Sequence, residues 1–436
     1  MVASAPLGVI MAAPNSGSGK TTITLGLLRH LRRQGTAVSS AKVGPDYIDP
    51  NFHAASTGRP CRNLCPWGMR PELLHQVLAE TAVGADFVLV EGVMGLFDGA
   101  ADASGSTADV AALAGLPVVL VVDAAKQSQS VAATVHGFAT LRRDVRLSGV
   151  ILNRVKSPRH ERLLRQALSD SGVPVLGAIP ESSDLVFPER HLGLVQAGEH
   201  NELEEALERA AAIVGECVDI AAFWDAAGRV AGADRTACAA LPPLGQRIAV
   251  ASDVAFSFFY PHLAESWRRA GAEILPFSPL ADEAPDAAAD AVFLPGGYPE
   301  LHAGRLAGNR KFISGLRQCA DHRTLIYGEC GGYMILGQGL IDAAGERHQA
   351  AGLLPLETSF AVRRLHLGYR QVEADSSSPW PGSLRAHEFH YATVEREERG
   401  QALFQVRDAE GNGLPPAGLI DGRVMGSFVH LIDRCT

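Results

Sequence analysis

Leu7-Gly8-Val9-Ile10-Met11-Ala12-Ala13-Pro14-Asn15-Ser16-Gly17-Ser18-Gly19-Lys20-Thr21-Thr22 joins a short apolar run to a segment, Ile23 to Arg33, whose apolar positions recur at helical spacing. Strand, glycine-rich loop and helix in that order read as a phosphate-binding loop. The glycines let consecutive backbone N–H groups turn toward an anion, and the helix that follows presents its positive end. Gly17, Ser18, Gly19, Lys20, Thr21 and Thr22 are the expected ATP contacts, with Lys20 reaching the terminal phosphates and the Thr21 hydroxyl offered to Mg²⁺. Pro14 stands where the usual pattern has its first glycine, but Gly19-Lys20-Thr21 is intact.

Working outward, Thr36 to Val43 alternates like a strand and runs into Lys42-Val43-Gly44-Pro45-Asp46-Tyr47-Ile48-Asp49-Pro50. Gly-Pro-Asp and Asp-Pro are ordinary turn formers; turn chemistry does not account for Lys42 or Tyr47. A loop that gathers a lysine, carboxylates and an aromatic at the carboxyl end of a strand lies where open α/β sheets bind ligands. After a helix over Pro71 to Glu80, Phe87 to Val90 is a β-rich run ending in Glu91-Gly92-Val93-Met94-Gly95-Leu96-Phe97-Asp98-Gly99, a carboxylate at a strand tip suited to Mg²⁺. A helix over Thr107 to Ala114 and strands over Pro117 to Asp123, Gly149 to Arg154 and Val173 to Ile179 complete the alternation. The pattern predicts a mostly parallel sheet with helices on both faces.

The acidic helical stretch Glu199 to Val214 closes this region, and the Ala-, Gly- and Pro-rich residues 226–245 read as a linker between a domain over 1–225 and another over 246–436. The second domain restarts the α/β pattern with Arg247 to Ala251, Pro261 to Ala270, Glu273 to Phe277 and Ala291 to Leu294. Gly328-Glu329-Cys330-Gly331-Gly332, between an apolar strand and a helix, is a nucleophile elbow built on a thiol. The N–H groups of Gly331 and of Gly296 or Gly297 are candidates for an oxyanion hole. The thiol needs a base. His430, His387 and His390 all compete for that role, and spacing does not choose among them.

A chain of 436 residues exceeds what one core usually supports. Its net charge of −9, with charges dispersed, argues against nucleic acid or membrane surfaces as partners. No apolar run approaches the ~20 residues of a membrane span, and no signal peptide is evident, so a cytoplasmic location is expected. Seven scattered cysteines suit reduced thiols.

The Gly-Pro-Asp-Tyr loop, the Glu91 to Gly99 run, Leu294-Pro295-Gly296-Gly297-Tyr298-Pro299-Glu300 and the Cys330 elbow together resemble the cobyrinic acid a,c-diamide synthase family, over essentially the whole chain. In that family a dethiobiotin-synthetase-like P-loop domain precedes a class I glutamine amidotransferase domain. The resemblance implies ATP-, Mg²⁺- and L-glutamine-dependent amidation of the a and c acetates of a corrin, through an acyl phosphate. It implies Cys330 and His430 as the glutaminase pair. Lys42 would join Lys20 at the phosphates, Thr21, Asp46 and Glu91 would be Mg²⁺ partners, and Asn153 the adenine contact. Asp46, Tyr47, Ile48 and Asp98 would face the corrinoid carboxylate. Two positions depart from pattern: Ile432 stands where class I enzymes place a glutamate two residues after the histidine, and Cys65 where an aspartate is usual. The first implies a Cys–His dyad. Cobyric acid synthase and nickel-sirohydrochlorin a,c-diamide synthase are the alternatives within this chemistry, and a partitioning-type ATPase switch outside it. A homodimer, and cobalt-containing or metal-free substrate, are left open.

Overall fold

The computed structural model describes residues 5–182, 185, 189–190, 193–194, 202–231, 238, 240–397 and 400–435. The chain forms two compact units: one holds residues 1–67 and 71–238, the other 68–70 and 239–436.

The first unit is built on a sheet whose strand order is Arg62–Leu64, Val38–Val43, Phe87–Glu91, Leu7–Ala12, Val118–Asp123, Leu147–Val155, Val175–Pro180, all parallel. Val9 and Met11 pack with Ile23, Leu27 and Leu31 of the helix Lys20–Arg33, while Ile10, between them on the opposite face, is equally buried. Both faces of the central strand are therefore covered, which is why its neighbours read as unbroken apolar runs. The helix Leu203–Cys217 lies along Lys20–Arg33; its expected start near Glu199 falls outside the described residues. Gly228–Arg229, which the composition assigns to a linker, pairs antiparallel with Leu7 and Gly8.

The second unit carries a ten-stranded sheet. Its first five strands, Glu273–Phe277, Arg247–Ala251, Ala291–Leu294, Leu325–Glu329 and Val424–Ser427, are parallel. Gly413–Asp421, Gln401–Arg407, His366–Ala374, Gly382–His390 and Val429–Arg434 continue it antiparallel. Val424–Ser427 and Val429–Arg434 are separated by one residue in the chain and by five positions in the sheet, so the antiparallel half curls back on the parallel half. That return brings His430 to the elbow strand.

Candidate active sites

In the first unit, Gly17 and Gly19 both take positive φ, 79° and 84°, in the left-handed region that glycine enters at little cost. Gly19 has a second constraint: a Cβ there would stand 2.2 Å from the Asn153 amide nitrogen. That amide donates to the Ser18 carbonyl at 2.9 Å, so Asn153 braces the loop from the strand Leu147–Val155, two places along the sheet. Together Gly19, Thr22, Asn153, Arg154 and Pro180 border a cavity of about 300 Å³. Lys20 is buried, with Nζ 3.3 Å from the Met94 carbonyl. Burial, and then the nearby Lys42 ammonium, pull its pKa down to about 8.

Behind Lys20 lies a buried charge network. Glu91 is fully buried; its Oε1 accepts from Thr21 Oγ1 at 2.6 Å and from Lys42 Nζ at 2.8 Å, while Oε2 meets His53 Nε2 at 2.6 Å. Burial would raise its pKa, but Lys42 and His53 hold it well below the carboxylate range. Lys42 Nζ also donates to Asp49 Oδ2 at 2.5 Å, and that oxygen lies 3.5 Å from Thr21 Oγ1. Burial opposes protonation of His53, yet Cys61 and Glu91 beside it push its pKa up to about 10.

Asp49 and His53 are thus members of the site to which the sequence reading gave no role. Both come from the helix Asp49–Thr57, whose first turn the acceptor loop aims at the phosphate loop. Their spacing of four residues on one helix face was the available signal. Thr21, Glu91 and Asp49 form the hard oxygen donor set that Mg²⁺ prefers, and the Thr21 oxygen keeps a lone pair while its proton goes to Glu91, so these residues fit the ion.

Asp46 is committed differently. Its Oδ1 accepts from the N–H groups of Ile48 and Asp49 at 2.8 and 3.0 Å, closing the turn into that helix. Burial and the Asp49 charge raise its pKa to about 6. Asn63, buried, donates to the carbonyls of Gly44 and Asp46 at 3.0 and 2.6 Å and so sets the course of the acceptor loop. Ile48 is buried, Tyr47 partly so, and Cys65 is buried. Asp98 is exposed and its Oδ2 accepts from Gly95 N–H at 2.8 Å.

In the second unit Cys330 sits at φ 47°, ψ −105°, a conformation that costs a non-glycine residue roughly 1–3 kcal/mol. The turn is locked by the Cys330 N–H to Ser427 carbonyl bond at 2.8 Å. Gly332 has no alternative at its position, since a Cβ would lie 1.9 Å from the Leu294 carbonyl. The helix after the elbow, Gly331–Leu336, has only six residues, so its dipole is a smaller aid to a thiolate than the sequence pattern suggests. A Cβ on Gly331 would stand 3.1 Å from Gly297 N, and one on Gly296 would stand 3.2 Å from Cys330 Cβ and 3.3 Å from His430 Nε2. The Gly296-Gly297 turn therefore faces the elbow.

Of the three competing histidines, His430 is the one that meets Cys330 at the Gly296 turn, where its Nε2 and the Cys330 Cβ approach the same point. Burial works against its protonation, but Cys330 and Glu329 raise its pKa to about 9. His387 is its cross-strand neighbour; burial, and then His430, depress its pKa to about 3. His390 stacks between His366, at 4.6 Å, and Phe428, at 4.0 Å, and binds Glu388 Oε1 at 3.1 Å. Glu329, also buried, places Oε2 3.6 Å from His430 Nδ1 and accepts from Leu431 N–H through Oε1 at 3.1 Å.

The two geometries have counterparts among known proteins. Residues 9–195 match the family model of the CobQ/CobB/MinD/ParA nucleotide binding domain, and 247–434 that of the CobB/CobQ-like glutamine amidotransferase domain. A protein of Brucella abortus biovar 1 (strain 9-941) named hydrogenobyrinate a,c-diamide synthase is 58% identical over 428 residues, 98% of each chain. The chain belongs to the hydrogenobyrinate a,c-diamide synthase family. Relatives of the same name in Rhizobium meliloti (strain 1021) and Rhodobacter capsulatus are 54% and 53% identical, each over 98% of this chain and 99% of theirs. Membership makes the chain a glutamine-dependent amidating ligase and sets aside the ATPase-switch alternative, which has no use for an amidotransferase domain. No helix among the described residues is long and apolar enough to cross a membrane.

Proposed function

We propose that this enzyme uses ATP and glutamine to amidate the a and c acetate carboxylates of hydrogenobyrinic acid, the metal-free corrin, in cobalamin biosynthesis. The relatives' shared name supports the substrate. What supports the chemistry is the presence in one chain of a phosphate loop backed by the Lys42–Glu91–Asp49 network and of a strained thiol elbow that meets His430 at the Gly296 turn.

In the second unit the Cys330 thiol gives its proton to His430 Nε2, and the thiolate of the resulting pair attacks the glutamine amide carbon. The oxyanion takes N–H bonds from Gly331 and from Gly296 or Gly297. His430 then returns the proton to the departing ammonia, and water releases glutamate from the thioester. In the first unit the γ-phosphoryl group of ATP moves to a corrin carboxylate, and ammonia displaces phosphate from the acyl phosphate. Lys20 and Lys42 offset charge on the phosphates. Thr21, Glu91 and Asp49, with Asp46 near them, would hold Mg²⁺, which when bound neutralises phosphate charge. Asn153 and the adjoining cavity are assigned to the adenine side, and Asp46, Tyr47, Ile48 and Asp98 to the acceptor. The location is cytoplasmic on this reading, and homodimerisation is a further expectation that gel filtration with light scattering would test.

The deciding assay offers hydrogenobyrinic, cobyrinic and nickel-sirohydrochlorin acids in parallel with ATP and glutamine, read by mass. Diamide from the metal-free corrin is expected, with ¹⁸O of a labelled carboxylate appearing in phosphate. Preference for another acid, or label retained in the corrin, would overturn the substrate or the acyl-phosphate step respectively.

A further inference from the structure

The residue two after His430 is Ile432, fully buried and apolar, so the acid that ordinarily orients a class I glutaminase histidine is missing from its usual place. We propose that Glu329, the residue immediately before the nucleophile, is the positioning acid of this glutaminase site and converts the apparent Cys330–His430 dyad into a triad assembled in a different chain order. The inference rests on Cys330 and His430 being the glutaminase pair.

Geometry carries it. Glu329 ends the strand Leu325–Glu329, and its carboxylate, 3% exposed as a residue, reaches across to the start of Val429–Arg434. One oxygen accepts from Leu431 N–H at 3.1 Å, which anchors the carboxylate to the backbone that carries His430. The other stands 3.6 Å from His430 Nδ1, an ion-pair separation that closes to a hydrogen bond with a few tenths of an ångström of movement. With Nδ1 turned to Glu329, Nε2 is left on the side of Gly296 and Cys330. The carboxylate thus selects the tautomer protonated at Nδ1, leaving Nε2 free to take the thiol proton, and it stabilises the imidazolium that results. No proton needs to reach Glu329 itself.

An orienting acid depends on its place in space, and the fold allows this one to come from the elbow strand. Among the described residues, Cys330 from the elbow, Glu329 from its strand and His387 from the neighbouring strand face His430, while Glu388, next to His387, is held by Arg370 and His390. Of the three that face it, Glu329 is the carboxylate. It also explains how buried Ile432 is tolerated without loss of the histidine's orientation.

The test is Glu329→Gln, whose side-chain oxygen can still accept from Leu431 N–H but whose charge is gone. Expected is a 10- to 100-fold fall in glutaminase kcat, KM for glutamine within a few fold, ammonia-supported amidation within twofold of wild type, and an alkaline limb of kcat/KM moved to lower pH. Because Glu329 acts through His430, the Glu329→Gln/His430→Ala double variant should be no slower than His430→Ala alone. A Glu329→Gln enzyme with wild-type glutaminase rate and pH profile, or losses that multiply in the double variant, would overturn the assignment. If His430→Ala itself uses glutamine normally, it is the glutaminase pair that fails, a separate outcome. Should Glu329→Gln lose ammonia-supported activity through misfolding, Glu329→Asp carries the test: it keeps the charge but withdraws it by one methylene. An intermediate kcat with the wild-type alkaline limb is expected; an unchanged kcat would overturn the role.

Discussion

The phosphate loop and the thiol elbow are both glycine-lined turns between a strand and a helix, yet they are completed in opposite ways. Gly17 to Thr22 presents its ligand groups from one contiguous stretch, and Glu91, Lys42 and Asp49 arrive from strand tips and a helix start on the same edge of one parallel sheet. The elbow presents a single thiol. The histidine proposed as its base lies 100 residues further along, on Val429–Arg434, a strand that the antiparallel half of the sheet brings back toward the turn. The first site is a property of a motif in a repeating architecture; the second is a property of a particular closure.

If that contrast holds, damage to the phosphate loop should stop the whole reaction and damage to the elbow only one nitrogen source. Lys20→Ala is expected to lower amidation by about 10³-fold or more with glutamine and with ammonia alike, since charge and position at the phosphates are both lost. Near-normal diamide formation from ammonia would remove the loop from the ATP site. Cys330→Ala comes next: glutamine-supported synthesis should vanish while synthesis from concentrated ammonium at elevated pH persists, and a glutamine-analogue electrophile should label Cys330 and no other cysteine. Persistent glutamine use would end the amidotransferase reading of the elbow.

The acceptor loop gives a finer test. Asp98→Asn retains an oxygen for the Gly95 N–H, so loop shape should survive while amide formation falls about tenfold. Glutaminase turnover with the wild-type rate would localise the defect to the acceptor side; equal loss of both half-reactions would argue against that role for Asp98.

The smallest effect is one of stability. His387 is buried neutral, with its pKa depressed to about 3 against 6.5 when unfolded, so the unfolded state binds the extra proton between those values. Its contribution is complete above pH 6.5 and is lost as pH falls toward 3. His387→Gln should therefore abolish roughly 2 kcal/mol of the decline in unfolding free energy of the second unit between pH 7 and pH 5. Parallel denaturant curves at the two pH values measure this, and identical pH dependence in variant and wild type would show that His387 does not stay neutral.

Much of the first unit was open to reading from the residues alone. Parallel strands buried on both faces are short apolar runs, and each ends in glycines or a carboxylate that marks the ligand edge. Phe87–Glu91 and Val118–Asp123 are legible for that reason, and the helix Thr107–Ala114 announces itself through the Ser106 cap. In the second unit the parallel strands Ala291–Leu294 and Leu325–Glu329 were equally plain. The antiparallel strands from His366 to Asp421 were not: several face solvent on one side, carry little apolar signal, and take their pairing from distant partners.

Among the site residues, Lys20, Thr21, Lys42, Glu91 and Cys330 follow from local pattern, because strand–turn–helix geometry is itself local. Tertiary structure alone decided two things. It brought Asp49 and His53 to Lys42 and Glu91, and it set Glu329 against His430 Nδ1. The physical reason is the same each time: a charge interaction depends on separation in space, and a hydrogen-bonded sheet brings residues dozens of positions apart within a few ångströms without leaving any periodicity in the chain.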